Sequence, residues 1–532
     1  MGDTFVKNIH GLLLVGCSAL ALAGCGPSDI ASPGGGGVTI NNPAPTPAPT
    51  STPTPTPTGV TPAGGCPTIA SDAGTVTGPT GTYRVCNLPA VISQSITLQK
   101  IPGLVYALPS RVDVGCDGGY AAPTAAAPFA TGTIGCPTAN LTADTNVTLT
   151  IQPGVIVIAS SAQAWLAVNR GNRISAVGTA AQPIIFTSRD NLLGVSTATS
   201  QGEWGGVVLM GRAPVTDCTT GTVATQCERQ TEGSPNPARF GGTDSAYNAG
   251  RMSFVQIRYS GFILGNNTEL QSLTGEGIGT GTTLDHIMSF NSSDDGSEWF
   301  GGSPNMKYYV SVGADDDSLD VDTGAQMNVQ YALMIQRDGA GDALFEIDSN
   351  GNEGDTPRTK LNVANFTAIQ RQTSSNNESN DQASALFRGN SDTGLVNGII
   401  VSPNNECIRM NGSGTTPATL NAISTVLTCN AGKFLGSGTF TAAQVSGFFN
   451  VAGRNNRDDF TSTLTGLFIN GANESGVVAA DPKTISAFFD TTTWIGAVRN
   501  AEDRWYAGWT CNSPTADFGT GNTGACTSLP TT

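Results

Sequence analysis

Carboxylates gather in two short bursts. Asp294, Asp295 and Glu298 come first, and Asp315, Asp316, Asp317, Asp320 and Asp322 follow. If the chain coils with a period of about 20 to 25 residues, the offset of 21 between Asp294 and Asp315 stacks the two bursts on one side. So many like charges repel one another unless a cation or a guanidinium neutralises them. Calcium suits Asp294, Asp295, Asp315, Asp316, Asp317 and Asp320, because these are hard oxygen donors at turns. The spacing is not that of an EF-hand. Two other readings stay open. The carboxylates can cap turns through Asx hydrogen bonds and face solvent, or a pair of them can be catalytic. Glycosidic cleavage needs two carboxyl groups held across a sugar ring. β-Elimination from an acidic sugar uses calcium and a strong base, for which Lys307, Arg337 and Arg358 are the nearby candidates.

A second pattern pairs acids with rings beside double glycines: Glu203-Trp204 in GEWGG and Glu298-Trp299 in EWFGG. A ring next to a hydrogen-bonding acid can grip a sugar, which makes Glu203, Trp204, Glu298 and Trp299 candidate ligand-binding residues. Both tryptophans can equally be plugs packed between turns. Glu346 and Asp348 lie two apart, so in a strand they share a face and extend the acidic stripe. His286, beside Asp285, is the imidazole of the body of the chain. Zinc and haem sites are disfavoured, and Ser-His-Asp catalysis would have to use His286. No phosphate-binding or dinucleotide-binding glycine motif occurs, and no organic cofactor is expected.

The elements that must position these groups are short β-prone runs. Val147–Ile151, Val155–Ile158, Trp165–Val168, Ile174–Val177 and Ile184–Thr187 are each four or five residues long and separated by glycine, asparagine and aspartate. They lie too close together for βαβ crossovers and are too unevenly spaced for tight hairpins. A coil that stacks strand on strand accommodates them, so the expected fold is all-β: a right-handed parallel β-helix, or solenoid, spanning residues 66–440. A β-sandwich or propeller is the alternative, but no repeat with a recurring aromatic signature supports a propeller. Asn291, Asn305, Asn328 and Asn365 are expected at tight corners. Residues 441–532, with short helices or loops, are expected to cap the open end, which would otherwise expose strand backbone.

Composition sets the surroundings. Glycine accounts for 67 of 532 residues and charged residues for only 12%, which favours turns over exposed helix. The net charge of −16 repels nucleic acid and favours divalent cations or basic partners. At the N-terminus, Lys7 and an apolar stretch end in Leu22-Ala23-Gly24-Cys25, which reads as a lipobox. Residues 1–24 are then a lipoprotein signal peptide, and Cys25 carries acyl chains such as palmitate. A Pro/Thr-rich tether follows to residue 65, extended over about 100 Å. Ten further cysteines fall into neighbouring pairs, 66 with 86, 116 with 136, 218 with 227, 407 with 429 and 511 with 526. These are expected to be local disulfides on excursions from the coil.

The segments LTIQPGVIVIAS, NRISAVGTAAQPIIFTS, GEWGGVVLMGRAPV, RFGGTD, SDDGSEWFGGSPNMKYYVSVGADDDSLDVDTG, WIGAV and WYAGWT cover most of residues 145–510. In these the chain resembles a family of large secreted or lipid-anchored proteins of Gram-negative bacteria, mostly called hypothetical proteins or lipoproteins, with a right-handed parallel β-helix. The resemblance implies a fold and an outer-membrane or cell-surface location, on the periplasmic or the external side, and no settled activity. The expected function is capture of a polysaccharide, matrix component or envelope protein, assisted by calcium. A polysaccharide lyase or glycoside hydrolase, and a structural or adhesive spacer, are the alternatives. The membrane is a partner through the lipid alone, and nucleic acid is not one.

Overall fold

Each coil of the chain lays a short strand in a narrow sheet and a longer one in a wide sheet, and the two sheets enclose the core. In this computed structural model the described residues are 59–234, 238–265, 268–349, 353–372, 383–412, 416–521 and 523–531. The signal segment, Cys25 and the proline-rich stretch through residue 58 lie outside them. The wide sheet has 16 strands and the narrow sheet 11, and successive coils pair in parallel. The architecture is a parallel β-helix, whose right hand is the one that parallel β-connections adopt. An antiparallel hairpin, Ser71–Gly78 with Gly81–Asn87, closes the first edge. Val60 N–H donates to Thr80 O (2.9 Å) and Ala63 N–H to Gly103 O (3.0 Å), so the fold begins by residue 60 rather than at 66. The first coil leaves donors and acceptors at its edge, and the end of the expected tether satisfies them.

Early in the coil the wide face consists of two separate strands, Arg173–Val177 and Ile184–Ser188. Both pair with one long strand, Gly250–Arg258, which bends at Phe254 (φ +53°). The following long strands bend likewise at His286, Tyr308, Tyr331, Asn365 and Asn397, all with positive φ. A left-handed residue drops out of the ladder and turns the strand onto a new face. Asn291 and Asn365 occupy such bends as expected. Asn305 and Asn328 do not: they stand in strands, where Asn328 Nδ2 donates to Asn305 Oδ1 (2.8 Å) and Asn362 Nδ2 to Asn328 Oδ1 (3.0 Å). A stacked row of side-chain amides satisfies its own donors and acceptors.

The inward rows are apolar. Leu209, Gly275, Trp299, Val321, Ile347, Phe387 and Met410 are successive partners across the narrow sheet. Each large aliphatic side chain buried this way contributes about 1.5–3 kcal/mol. The five disulfides among the described residues join the expected neighbours.

The C-terminal region does more than cap. Helix Ala442–Phe449 begins in a capping box of Thr441 and Gln444, and Phe449 packs on Phe434 of the last coil. The chain then returns along the outside of the wide sheet as a strap. Asn397 Nδ2 donates to Ala480 O, Asn365 Nδ2 to Trp494 O, and Arg258 Nη1 to Cys526 O (2.9 Å). At the far end, Leu529 packs in a cluster with Val76 and Val85 of the opening hairpin. Among the described residues no helix is long and apolar enough to cross a membrane.

Candidate metal centre

Strand register builds the acidic row. Thr274, Glu298, Asp320 and Glu346 are successive partners on four strands of the narrow sheet. They alternate with the inward row that contains Trp299 and Val321, so they face outward. Glu276, Phe300 and Asp322 form the next outward row. Asp294, Asp295, Asp316 and Asp317 lie in the corners by which the chain enters this sheet. Left-handed Asn291 (φ +50°) and Gly313 (φ +69°) start those corners. Asp295 Oδ1 accepts from Asp317 N–H (2.9 Å), and Asp317 Oδ1 accepts from Ala343 N–H (2.7 Å). Turn-capping is therefore part of what these two carboxylates do.

Two triads result. Asp294, Asp295 and Asp316 each present a carboxylate oxygen within 4.8 Å of the others, and so do Asp295, Glu298 and Asp320. Asp295 belongs to both. Asp295 and Glu298 are buried, while Asp294, Asp316 and Asp320 are half-buried and reach solvent. Burial, and then the neighbouring carboxylates, hold the protons of Asp295, Glu298, Asp317 and Asp320 well above the usual carboxylate range. Asp322 is pushed up to about 8 by burial and by Asp348. Its Oδ1 is buried without a hydrogen-bond partner.

Arg388 Nε meets Glu346 (2.8 Å) and its Nη1 meets Asp348 (3.3 Å), and Arg229, paired with Asp217, lies over the Phe300 ring. Glu346 and Asp348 do share a face, as their spacing implies. The donor set fits a hard divalent cation: it is made of carboxylate oxygens gathered within 4.8 Å of one another in each triad, Asp295 and Glu298 among them are buried, and the protons held there are those a cation would displace. Asp294, Asp295, Glu298, Asp316 and Asp320 would hold it.

Several expected residues lie elsewhere. One coil here is 22 residues, since Glu298 pairs with Asp320. The stacking partner of Asp294 is therefore Asp316, and Asp315 turns the other way toward Gln201 and Arg337. Trp204 and Trp299 are fully buried, so neither can stack on a ligand. Trp204 Nε1 donates to Arg258 O, and Trp299 covers the bare face of Gly275. Glu203 accepts from Ser188 and Ser196 beside the short helix Arg189–Leu193. Lys307 pairs with Asp490, Arg337 with Asp315 and Arg358 with Asp392. His286 sits between the Phe254 and Tyr308 rings, with Nδ1 2.8 Å from Asp285. Sequence reasoning missed Arg388 and Arg229, whose proximity depends on coil lengths that differ from rung to rung.

A family model described as a pectate-lyase like beta helix domain matches residues 137–510. The chain belongs to that family. The match spans both triads and the inward row beneath them, and membership in the pectate-lyase-like β-helix family is compatible with a polysaccharide-related function. No curated protein and no solved structure matches the chain.

Proposed function

We propose that this pectate-lyase-like β-helix captures an acidic polysaccharide through calcium held on the carboxylate shelf. The observation that carries the reading is the pair of triads sharing Asp295. Bound there, calcium supplies positive charge at a partly open surface, and a uronate carboxylate can complete its coordination. Asp294, Asp316 and Asp320 face the solvent side, whereas Asp295 and Glu298 anchor the shelf from below. Capture is favoured over elimination by the guanidinium groups at the shelf. Arg388 is engaged by Glu346 and Asp348, and Arg229 by Asp217, so each balances charge where an elimination would require a base. On this reading a lipid on Cys25 would hold the body at the outer membrane, on either face.

Calorimetric titration of Ca²⁺ into the chelator-stripped protein, repeated with Asp295→Asn and Asp320→Asn, tests the metal. Saturable heat that both substitutions abolish is expected; no heat at millimolar Ca²⁺ overturns the reading. Polygalacturonate is then expected to be retained only with Ca²⁺ present. Release of unsaturated uronide products would replace capture by the lyase alternative.

A further inference from the structure

The chain leaves the narrow sheet after Val114 and again after Met210, and each time makes a long excursion before rejoining the wide sheet at Thr148 and at Gly250. The first excursion carries Cys116–Cys136 and the second Cys218–Cys227. Between them the intervening coil turns tightly from Val168 to Arg173, and a cavity of about 510 Å³ opens over that turn. This volume lies within the range of about 300–1,000 Å³ typical of small-molecule sites. We propose that this cavity is a second binding site, and that it takes a neutral saccharide.

The walls are fixed before any ligand arrives. Arg212, from the second excursion, reaches across to the first: both its Nη atoms bond the Asp144 carboxylate (2.8 and 2.6 Å), and Nε donates to Gly119 O (2.7 Å). Behind it, fully buried Arg170 makes two bonds to Asp117 (2.7 Å each) and one to Glu228 (2.5 Å). Tyr120 Oη donates to Thr225 O (3.3 Å) and joins the two excursions again. The disulfides and guanidinium bridges thus hold the two sides at a set separation, which lowers the ordering cost of binding.

The lining selects the ligand. At its floor Gly171, with φ +85°, leaves the backbone bare, since a Cβ there would meet Asp144 Oδ1 at 2.4 Å. Gly171 N–H donates to Tyr247 Oη (2.7 Å), so the tyrosine oxygen is occupied as an acceptor and its own proton is left to donate. Asp144 and Asp244 are balanced by Arg173 and Arg212 in the same lining. Balanced charge gives no preference for a phosphate, a uronate or a metal ion. Apart from the tyrosine rings the apolar contribution comes from alanines, too little for a lipid or an aromatic ligand. Hydroxyl groups, which both donate and accept, fit amides, a carboxylate, guanidinium groups and phenols together. The cavity lies where the chain leaves the narrow sheet and the carboxylate shelf where it enters, so this site does not depend on the metal centre.

Saturation-transfer NMR on the purified protein, with maltotetraose, mannotetraose and β-1,4-galactotetraose as neutral probes and trigalacturonate as the acidic control, tests the assignment. At least one neutral probe is expected to bind saturably without Ca²⁺. Tyr120→Ala and Asp244→Ala, both at the rim, should each weaken that binding about tenfold while leaving the melting temperature near that of the parent. Asp320→Asn should leave it unchanged. Absence of binding by all three neutral probes, binding of trigalacturonate alone, survival of binding in both rim variants, or its loss in Asp320→Asn would each overturn the proposal.

Discussion

Glu298 and Asp320 are direct partners on neighbouring parallel strands of the narrow sheet, two carboxylates side by side on one outward row, with Asp295 completing a triad. Like charges placed opposite one another in a sheet destabilise it, and burial sharpens the effect. Ionising both members is therefore costly, each holds its proton above the usual carboxylate range, and a cation would take the place of those protons.

Asp320→Asn should accordingly raise the stability of the chelator-treated protein at pH 8 by about 1 kcal/mol and abolish stabilisation by Ca²⁺. The sign follows from the protons. Asp320 and Glu298 keep theirs to a higher pH when folded than when unfolded, so their contribution is complete at acid pH and is lost as pH rises through the folded values. Calorimetric melting with and without Ca²⁺ reads both effects. A variant less stable than the parent in chelator would show that the pair is already neutralised from within.

Glu276 gives a separate pH dependence. It is fully buried beneath the second excursion, Thr231 Oγ1 donates to its Oε2 (2.7 Å), and its Oε1 has no partner. Burial pushes its proton affinity from the ordinary 4.5 up to about 8. Folded protein thus binds more protons than unfolded between those values, and stability contributed by this group falls as pH rises from about 4.5 to about 8. Glu276→Gln should remove that slope and stabilise the fold at pH 9 by on the order of 3–5 kcal/mol. Denaturant titrations at pH 5, 7 and 9 test it; parallel curves for both proteins would contradict the assignment.

Gly275 and Trp299 are partners on the inward row, and a Cβ on Gly275 would lie 2.2 Å from Trp299 Cε3. Gly275→Ala should therefore cost about 1–3 kcal/mol through overpacking, visible as a lower urea midpoint with an unchanged slope. Unchanged stability would mean that the ring is not seated against the glycine.

Much of this architecture was legible, for identifiable reasons. The cysteine pairs were readable because each excursion is short enough for its own two cysteines to meet. The acidic stripe was readable because alternation in a strand places Glu346 and Asp348 on one face. Alternation alone does not say which face is inside, so EWFGG left Trp299 undecided until its partner proved to be Gly275 in the apolar row. A coil of 22 residues where 21 was used shifted the stack from Asp315 to Asp316. Later coils vary further, with Asp320 pairing to Glu346 across 26 positions, which is why Arg388 could not be placed. The strap was hidden because its contacts reach back over long stretches of chain, 83 residues from Ala480 to Asn397 and 268 from Cys526 to Arg258.

The aromatic bends make the last prediction. Phe254, His286, Tyr308 and Tyr331 stack with ring centroids 4.1, 4.3 and 4.8 Å apart, yet all four have left-handed backbones. In the next two coils asparagine fills the same bend, at Asn365 and then Asn397. Asparagine tolerates this backbone, whereas a β-branched residue does not. His286→Asn should lose the two stacking contacts, about 1–3 kcal/mol in total, and keep the bend. His286→Val should lose the same contacts and a further 1–2 kcal/mol or so for the strained φ. Chemical denaturation of the two variants side by side isolates the backbone contribution, because the stacking loss cancels in their difference. Equal stabilities would show that the strand can straighten at residue 286, and that the rings rather than the left-handed residue turn the coil there.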